Sequence, residues 1–399
     1  MSSPLRACLL LALGACAGTP EAPSALRRPA EPFRWTSADG RGELELEGLF
    51  QVVLGVFDGD REPSSDAELK RMRPELAGGF EGLRFRLEPK LTEDDVELEE
   101  AWVGVDLAGG DARLMLGRMK APFNLEEVRS RRHIDFPAFS IVNQLAPAED
   151  HGVFVNGRAA GGLLEYGVAA YNGTGESDTN SSKDVAGRLM VHPFAGREDS
   201  VWRNLQVGIA GTYGDQEEGV GGGTIDNEAN LPVVTFAPDA ALDGERVRAG
   251  FEGAWFHGPW MAQAEWVAVR QDMAAGGAED DVTFEGGYLT LSRVLTGEDK
   301  SFAGVRPDAP FDFVTGSGRG AWIVAVRYSE LDLDDELAGP LTAPGAFTDR
   351  IRSGSLGLNW VPNEHAIVRH TLIWSDYDDP IDPVGSDEVA FVVELQLHF

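Results

Sequence analysis

The sequence predicts an all-β protein: a transmembrane antiparallel β-barrel of about sixteen strands, with a loop folded into the lumen. The first observation is the end of the chain, residues 386–399, where apolar residues occupy every second position up to Phe399. Successive side chains of a strand point to opposite faces, so this segment has one apolar wall and one polar wall. Similar alternation recurs along the chain, and the connections between the alternating segments are roughly short and long in turn. A lipid-facing outer wall around a water-filled lumen accounts for all of these patterns.

Residues 1–17 predict an export signal. Arg6 is the only positive charge, residues 9–13 form a short apolar core, and small residues follow. Two interpretations of the cleavage site overlap. Ala15-Cys16-Ala17 is a small-x-small site, whereas residues 13–16 resemble a bacterial lipobox that would leave Cys16 lipidated as the new first residue. Either interpretation takes the protein out of the cytoplasm.

The sequence after the signal divides into two parts. Residues 18–40 are rich in Pro, Ala and Arg and predict a disordered spacer. Residues 41–399 predict the barrel itself. Both cysteines of the sequence, Cys8 and Cys16, precede these parts, so the barrel has neither a disulfide nor a thiolate metal site.

Alternation predicts fifteen individual strands. In residues 80–91, for example, Leu83, Phe85 and Leu87 share the outward face, and Arg84 and Arg86 share the inward face. Aromatic residues gather at strand ends, as the girdles at membrane interfaces require. The predicted strands are residues 43–57, 80–91, 96–107, 111–119, 151–158, 163–171, 184–192, 204–213, 245–256, 260–271, 282–294, 320–331, 350–361, 365–377 and 386–399.

The strand count and one connection do not fit this scheme. Bacterial single-chain barrels have even numbers of strands, so we expect a sixteenth near the N-terminus or within a connection. Long connections at residues 174–183, 215–244 and 332–349 are typical of external loops. Residues 295–319 form a long connection where the scheme calls for a short turn.

The net charge limits the functional classes. Lys and Arg number 34 against 66 Asp and Glu, a formal charge of −32, which argues against nucleic acid as a partner. The chain has neither an H-x-x-x-H pair nor a G-x-S-x-G elbow. We therefore expect no catalytic residues, no metal site and no cofactor.

A basic window contrasts with this acidity. Residues 113–132 contain six Arg or Lys against Glu126 and Glu127, and a long segment follows up to residue 150. Such a segment after an early strand can fold into the lumen, where Arg and Lys at a constriction select anions. The alternative is a set of solvated loop charges paired with neighbouring carboxylates. The candidate constriction residues are Arg118, Lys120, Arg129, Arg131, Arg132, Arg84 and Arg86.

Several linked motifs occur in this part of the chain. They are Glu-Glu-Ala-Trp-Val-Gly at 99–104, Leu-Gly-Arg-Met-Lys-Ala-Pro-Phe-Asn-Leu-Glu-Glu at 116–127, Ser130-Arg131, a Gly-Val strand at 151–158 and Tyr171-Asn172-Gly173. In this order they resemble the phosphate-selective porin O and P family, with the match running from about residue 80 to 175. The resemblance implies a sixteen-stranded homotrimer through which small anions, phosphate included, cross the bacterial outer membrane. Its further partners would be outer-membrane lipids and the barrel-assembly machinery, which reads the terminal strand.

The sequence therefore predicts a passive porin without enzymatic activity. Replacing Arg129, Arg131 and Arg132 with Ala is expected to lower the ratio of anion to cation permeability. Two alternatives remain open. One is a lipid-anchored surface or periplasmic β-sandwich that binds glycans, and the other is a non-conducting barrel with a role in assembly or adhesion.

Overall fold

The fold is described from a computed structural model of the chain, for residues 33–58, 64–175 and 180–399. The predicted signal peptide, Cys16 and residues 18–32 of the predicted spacer lie outside the described residues. Within residues 33–40, a short strand pairs with the first barrel strand. In the described part of the chain, no helix has the length and apolar character needed to cross a membrane.

Sixteen strands form one closed antiparallel barrel, which confirms the predicted fold class. The only α-helix among the described residues is α1 (Leu125–Val128). In chain order the strands are β1 (Arg34–Thr36), β2 (Gly42–Phe57), β3 (Ser65–Phe80), β4 (Leu83–Leu91), β5 (Val96–Leu107), β6 (Ala112–Lys120), β7 (Glu149–Ala159), β8 (Leu164–Tyr171), β9 (Asp184–Val191), β10 (Gln206–Gly219), β11 (Thr224–Asp226), β12 (Pro232–Thr235), β13 (Ala241–His257), β14 (Trp260–Ala275), β15 (Ala278–Val294), β16 (Ala321–Leu333), β17 (Arg350–Asn363), β18 (Ala366–Ile381) and β19 (Gly385–His398). The barrel comprises all of these except β1, β11 and β12.

The terminal strand closes the barrel, as its alternation predicts. β19 pairs with β2 in the register Ala390↔Phe57 to His398↔Leu49. Leu395 and Leu397 are 43% and 47% exposed on the outer face, whereas Glu394 and Gln396 between them are fully buried towards the lumen. Among the described residues the main sheet returns on itself and no second sheet packs against its outer face, so the β-sandwich alternative is wrong.

The strand that the sequence did not reveal is β3. Its pairing with β2 shifts register between Gln51 and Val52, and its interior holds Pro74. A bulge and a proline both interrupt period-two alternation, which explains the missing prediction. The predicted strand at residues 80–91 also needs correction, because Phe80 ends β3 and the turn at Glu81 and Gly82 separates it from β4.

The barrel has two different rims. The rim that contains Phe399, here called the C-terminal rim, has several tight turns, such as residues 81–82, 258–259 and 364–365. The opposite rim, here called the loop rim, carries the connections at residues 121–148, 172–183, 220–240 and 334–349. Residues 295–320 form a long connection at the C-terminal rim, as the sequence indicated. Short periplasmic turns and long external loops are the rule for bacterial barrels, so the C-terminal rim corresponds to the periplasmic side.

Candidate functional site: the lumen constriction

Residues 121–148, here called the lumen loop, enter the barrel from the loop rim and are held by wall side chains. The carboxylate of Glu265 on β14 accepts hydrogen bonds from the backbone N–H groups of Leu125 (2.6 Å) and Glu126 (2.8 Å). These N–H groups begin α1 and have no partner within the helix. A wall carboxylate therefore caps the loop helix and fixes its start against the lumen wall.

The middle of the loop is bound to another part of the wall, the strands β17–β19. The guanidinium of Arg369 on β18 donates to the carbonyl oxygens of Ile134 and Arg132, each at 3.0 Å. The amide of Asn359 on β17 donates to the carbonyl of Asp135 (2.8 Å), and that of Gln396 on β19 to the carbonyl of Arg132 (2.8 Å). Because these bonds use backbone carbonyls, the wall fixes the path of the loop across the lumen.

Two adjacent glutamates stabilise the lumen loop through hydrogen bonds to other residues of the loop. The Glu126 carboxylate accepts bonds from the backbone N–H and hydroxyl of Ser140, at 2.9 and 2.8 Å. The Glu127 carboxylate accepts one from Asn143 (2.9 Å) and lies 3.6 Å from Lys120 Nζ and 3.5 Å from an Arg131 nitrogen. Burial raises the pKa of Glu126. Burial also opposes ionisation of Glu127, but the nearby cations outweigh it and lower its pKa.

A network of ion pairs, here called the charged belt, connects the loop to the strands β2–β5. Its members are Glu47, Arg73, Glu75, Arg86, Glu88, Glu99 and Arg132. Arg73 lies 2.8 Å from Glu88 and 3.2 Å from Glu99, and Arg86 lies 2.9 Å from Glu75 and 2.8 Å from Glu88. From the loop, Arg132 pairs with Glu47 and lies 3.4 Å from Glu75. Cations and carboxylates thus alternate within the charged belt.

A cavity of about 1110 Å³, here called the main cavity, occupies the lumen next to β5–β9. It extends from Lys120, at the end of β6, to Asp111 in the turn before that strand. Five cations line it, Arg113, Lys120, Arg129, Arg158 and Arg188, with four carboxylates, Glu100, Asp106, Asp111 and Glu165. In a chain with a formal charge of −32, this lining has a slight excess of positive charge.

Arg129 differs from the other cations of the main cavity. Among the described residues, no carboxylate lies within ion-pair distance of its guanidinium, which is placed over the ring of Phe302. Phe302 belongs to the connection 295–320 and reaches the lumen from the C-terminal rim. Burial lowers the pKa of Arg129 to about 9, and Arg188 adds to the effect. The guanidinium therefore remains charged at neutral pH and faces the cavity.

The part of the lumen beside β13–β18 is filled with protein. Glu228, in the connection 220–240, accepts a bond from Arg327 Nη2 (3.1 Å) and also bonds the hydroxyls of Ser329 and Ser355. Apolar residues of the lumen loop and of this connection form the largest buried cluster in the described residues. Smaller cavities lie near the loop rim, such as one of about 390 Å³ that includes Lys70 and Ala138.

The structure separates the predicted constriction residues into groups. Lys120 and Arg129 line the main cavity, and Arg86 and Arg132 belong to the charged belt. Arg131 pairs with Glu127 and lies over the Phe139 ring. Nearer the C-terminal rim, Arg84 pairs with Asp106 at 2.9 Å and with Glu43. Arg118 bonds the carbonyls of Leu98 (2.5 Å) and Gly175, and it does not line the main cavity.

Sequence reasoning missed several charged residues of the lumen and one aromatic residue. Arg73 lies on the strand that was not predicted, and Phe302 lies in the connection that was longer than the predicted scheme allowed. Arg188 pairs with Glu252 at 2.6 Å, and its alternation with apolar neighbours on β9 was the signal that it faces inward. The same signal was present for the remaining wall arginines, Arg246, Arg248, Arg327 and Arg369.

Comparisons with known proteins agree with this architecture. Porin O of Pseudomonas aeruginosa is 25% identical over 402 residues, which cover 91% of this chain and 90% of that protein. The outer membrane channel DcaP of Acinetobacter baumannii superposes with a TM-score of 0.58 at 8% identity, covering 92% of this chain and all of that one. The anion-selective porin from Comamonas acidovorans gives 0.56 at 11% identity, covering 90% and 100%. The profile of the family described as phosphate-selective porin O and P matches residues 45–399. With most of its length matched, this chain belongs to the phosphate-selective porin O and P family of the bacterial outer membrane.

Proposed function

We propose that this outer-membrane porin lets small anions, phosphate included, diffuse passively through the charged belt and the main cavity. Permeation runs down a concentration gradient, and the proposal includes no catalytic step. The width of the belt excludes large solutes, and the charge of the lining decides which small ions accumulate.

The observation that carries the proposal is the unpaired guanidinium of Arg129. The other four cations of the main cavity have a carboxylate within 4 Å, so much of their field is cancelled locally. Arg129 instead rests on an aromatic ring and presents its donors to the open cavity. A planar guanidinium with free donors suits phosphate and carboxylate oxygens, which can each accept two of its hydrogen bonds.

The description of the family and the name of one similar protein support the same ion class. The family description includes phosphate selectivity, and the solved Comamonas porin is called anion-selective. The overall acidity of this chain does not oppose the proposal, because the lining of the main cavity has five cations and four carboxylates.

The test is the reversal potential of the protein in a planar bilayer under a potassium chloride gradient. The wild-type channel is expected to prefer chloride, and Arg129→Gln is expected to lower the ratio of anion to cation permeability about threefold, because one unpaired charge shifts the local potential by about one kT. Arg306→Gln is the matched control, since Arg306 is 83% exposed and pairs with Glu364 at the C-terminal rim. An Arg129 variant whose reversal potential equals that of the wild type would refute the proposal.

Phosphate is tested in the same bilayers. Adding inorganic phosphate to the chloride solution is expected to reduce the chloride current of the wild type, because phosphate occupies the guanidinium for longer than chloride does. The Arg129 variant is expected to need a higher phosphate concentration for the same reduction. Equal block of both channels would leave an anion pore without a phosphate site at Arg129.

We also propose that the protein functions as a homotrimer embedded in outer-membrane lipids after insertion by the barrel-assembly machinery. One wall is short: β8 and β9 have 8 residues each, compared with 17 in β13 and β15. A side of the barrel with short strands suits contact between copies of the chain. Native mass spectrometry in detergent checks the subunit number, and a monomer would refute it.

A second candidate is a barrel that conducts nothing. It is favoured by the filled part of the lumen beside β13–β18, where the lumen loop and the connection 220–240 pack against the wall. This candidate predicts that the protein produces no conductance steps in a planar bilayer, although its heat-modifiable gel migration shows that it is folded. Steps that depend on Arg129 would exclude it.

A further inference from the structure

The long connection at the C-terminal rim, residues 295–320, divides into two parts with different surroundings. Its first part enters the lumen, where Lys300 is buried beside Asp135 and Phe302 lies beneath Arg129. Its second part, residues 309–318, turns back outside the barrel and is here called the outer hairpin. The porin function proposed above uses only the first part.

The outer hairpin is closed by its own hydrogen bonds. The N–H of Asp312 donates to the carbonyl of Ser317, and the N–H of Gly316 donates to the carbonyl of Asp312, both at 2.8 Å. At its base, the N–H of Phe311 donates to the carbonyl of Pro362 at 2.7 Å. The last of these bonds fixes the hairpin to the end of β17.

The hairpin packs against the outer face of the wall. The ring centroid of Trp360 lies 5.2 Å from that of Phe311 and 6.1 Å from that of Phe313. Trp360 follows Asn359, whose amide is buried in the lumen on the carbonyl of Asp135. Neighbouring residues of a strand face opposite sides, so Trp360 and the aromatic rings stacked on it lie on the outside of the barrel.

The tip of the hairpin exposes apolar side chains but covers its backbone. Phe313 is 63% exposed and Val314 is 83% exposed, the highest value among the large apolar residues of the described chain. The N–H groups of Val314 and Thr315 both donate to Asp312 Oδ1, at 2.8 and 3.3 Å. Because the N–H groups of Val314 and Thr315 are already bonded, transfer of the apolar tip out of water loses fewer backbone hydrogen bonds.

We propose that the outer hairpin is a membrane anchor whose tip, Phe313 and Val314, enters the lipid leaflet at the C-terminal rim. The apolar surface continues directly along the wall, where Leu356 and Leu358 of β17 are 50% and 43% exposed. Trp322 stacks on Trp360 at 6.1 Å on the same face, and tryptophans collect where hydrocarbon meets headgroups.

Lipid explains this surface better than a second protein copy does. In the ring of sixteen strands, β16 and β17 lie opposite β6 and β7, and β7 adjoins the short wall of β8 and β9. An assembly that uses the short wall leaves the hairpin facing the bilayer. Charged residues flank the apolar tip, with Asp308 before it and Arg319 after it, as expected at headgroup level.

Spin labelling in liposomes of neutral phospholipid tests the anchor. Cys8 and Cys16 are the only cysteines of the sequence, so replacing both with Ser allows one label to be placed at Val314→Cys. Molecular oxygen concentrates in hydrocarbon, whereas a nickel chelate stays in water, so the accessibility of the label to each reports its surroundings. The label at Val314 is expected to be open to oxygen and at least about fivefold less open to nickel than an aqueous control, because the interface excludes polar solutes.

Two control labels bracket the result. Leu358→Cys marks the lipid-facing wall, and Arg306→Cys marks the aqueous side of the same connection. A Val314 label that resembles the Leu358 label supports the anchor. A label as open to nickel as the Arg306 label places the tip in water, and a label closed to both reagents places it against protein. Either of these two results overturns the proposal, and neither affects the test of anion permeation.

Discussion

The Nζ of Lys300 lies 2.6 Å from Oδ2 of Asp135 and 2.7 Å from the hydroxyl of Ser292, deep in the lumen. This ion pair joins two connections that enter the barrel from opposite rims. Lys300 follows β15 at the C-terminal rim, and Asp135 belongs to the lumen loop. Both side chains are only 4% exposed. The pair therefore couples the position of the constriction to a segment on the periplasmic side.

Asp135→Asn is expected to destabilise the folded barrel by about 3 kcal/mol, because it leaves the ammonium of Lys300 buried without its counter-charge. The measurement is the free energy of unfolding in urea for the protein in liposomes. The folded fraction at each urea concentration is read from the heat-modifiable shift in gel migration. The control is Asp281→Asn, since Asp281 pairs with Arg270 on the surface and both are more than one-third exposed. The control is expected to cost less than about 1 kcal/mol. Equal losses in the two variants would contradict the role of burial.

The parts of this fold that could be predicted from the sequence are those shaped by contact with the membrane. Lipid outside and water inside impose period two on every strand, so the inward position of Arg86 follows from alternation alone. β3 escapes because Pro74 and the register shift beside Gln51 break the period. The contacts inside the lumen have no local signal at all. Arg132 meets Glu47 and the amide of Gln396, which are 85 and 264 residues away in sequence.

At the constriction, too, the sequence predicts the position of some residues but not their contacts inside the lumen. The basic window around Arg129 is visible as a local excess of charge, and its entry into the lumen follows from its length. Which of its cations are cancelled depends on distant carboxylates such as Glu75, whose strand was not predicted. The aromatic partner of Arg129 comes from a connection that looked like a misplaced loop, so the sequence gives no reason to pair it with Phe302.

Phe302→Leu is expected to lower anion preference by less than Arg129→Gln does. The leucine keeps an apolar contact but lacks the ring face that holds the guanidinium in the cavity. A cation over an aromatic ring is worth about 1 kcal/mol, so the guanidinium should sample other positions more often. The measurement is again the reversal potential in a salt gradient.

The double variant Phe302→Leu, Arg129→Gln decides whether the two residues act together. If Phe302 works through Arg129, the double variant has the reversal potential of Arg129→Gln alone. Phe194→Leu is the matched control, because Phe194 lies under Arg197 in a turn at the C-terminal rim. A loss in the double variant equal to the sum of the single losses would show that Phe302 acts independently.

Arg132→Gln is expected to shift the charged belt towards cations. The change leaves Glu47 and Glu75 with fewer positive partners in the charged belt, so the local potential becomes more negative. A fall in the ratio of anion to cation permeability of about threefold is expected, since one charge is removed. Adding Glu75→Gln to this variant should restore most of the ratio. A ratio that stays low in the double variant would mean that Arg132 binds the permeating anion itself.

We expect His133 to make the stability of the folded barrel depend on pH. Its ring lies edge-on to that of His398 on β19, 5.4 Å away between centroids. Burial lowers the pKa of His133 to about 4, and Arg369 of β18 and Arg132 of the loop add to the effect. In the unfolded chain the histidine pKa is about 6.5. Between these two values only the unfolded state binds the proton, so stability falls as the pH decreases through this range.

The expected loss attributable to His133 is about 3 kcal/mol between pH 7.5 and pH 4, because each pKa unit corresponds to about 1.4 kcal/mol. The test compares the free energy of unfolding in urea for the wild type and His133→Gln at several pH values. Groups distant from His133 titrate in both proteins and cancel in the difference, whereas His398, whose ring contacts that of His133, contributes to it. The wild type should lose stability more steeply on acidification, whereas the exposed-site control His365→Gln should follow the wild type. Parallel curves for all three proteins would show that the loop docks without excluding a protonated His133.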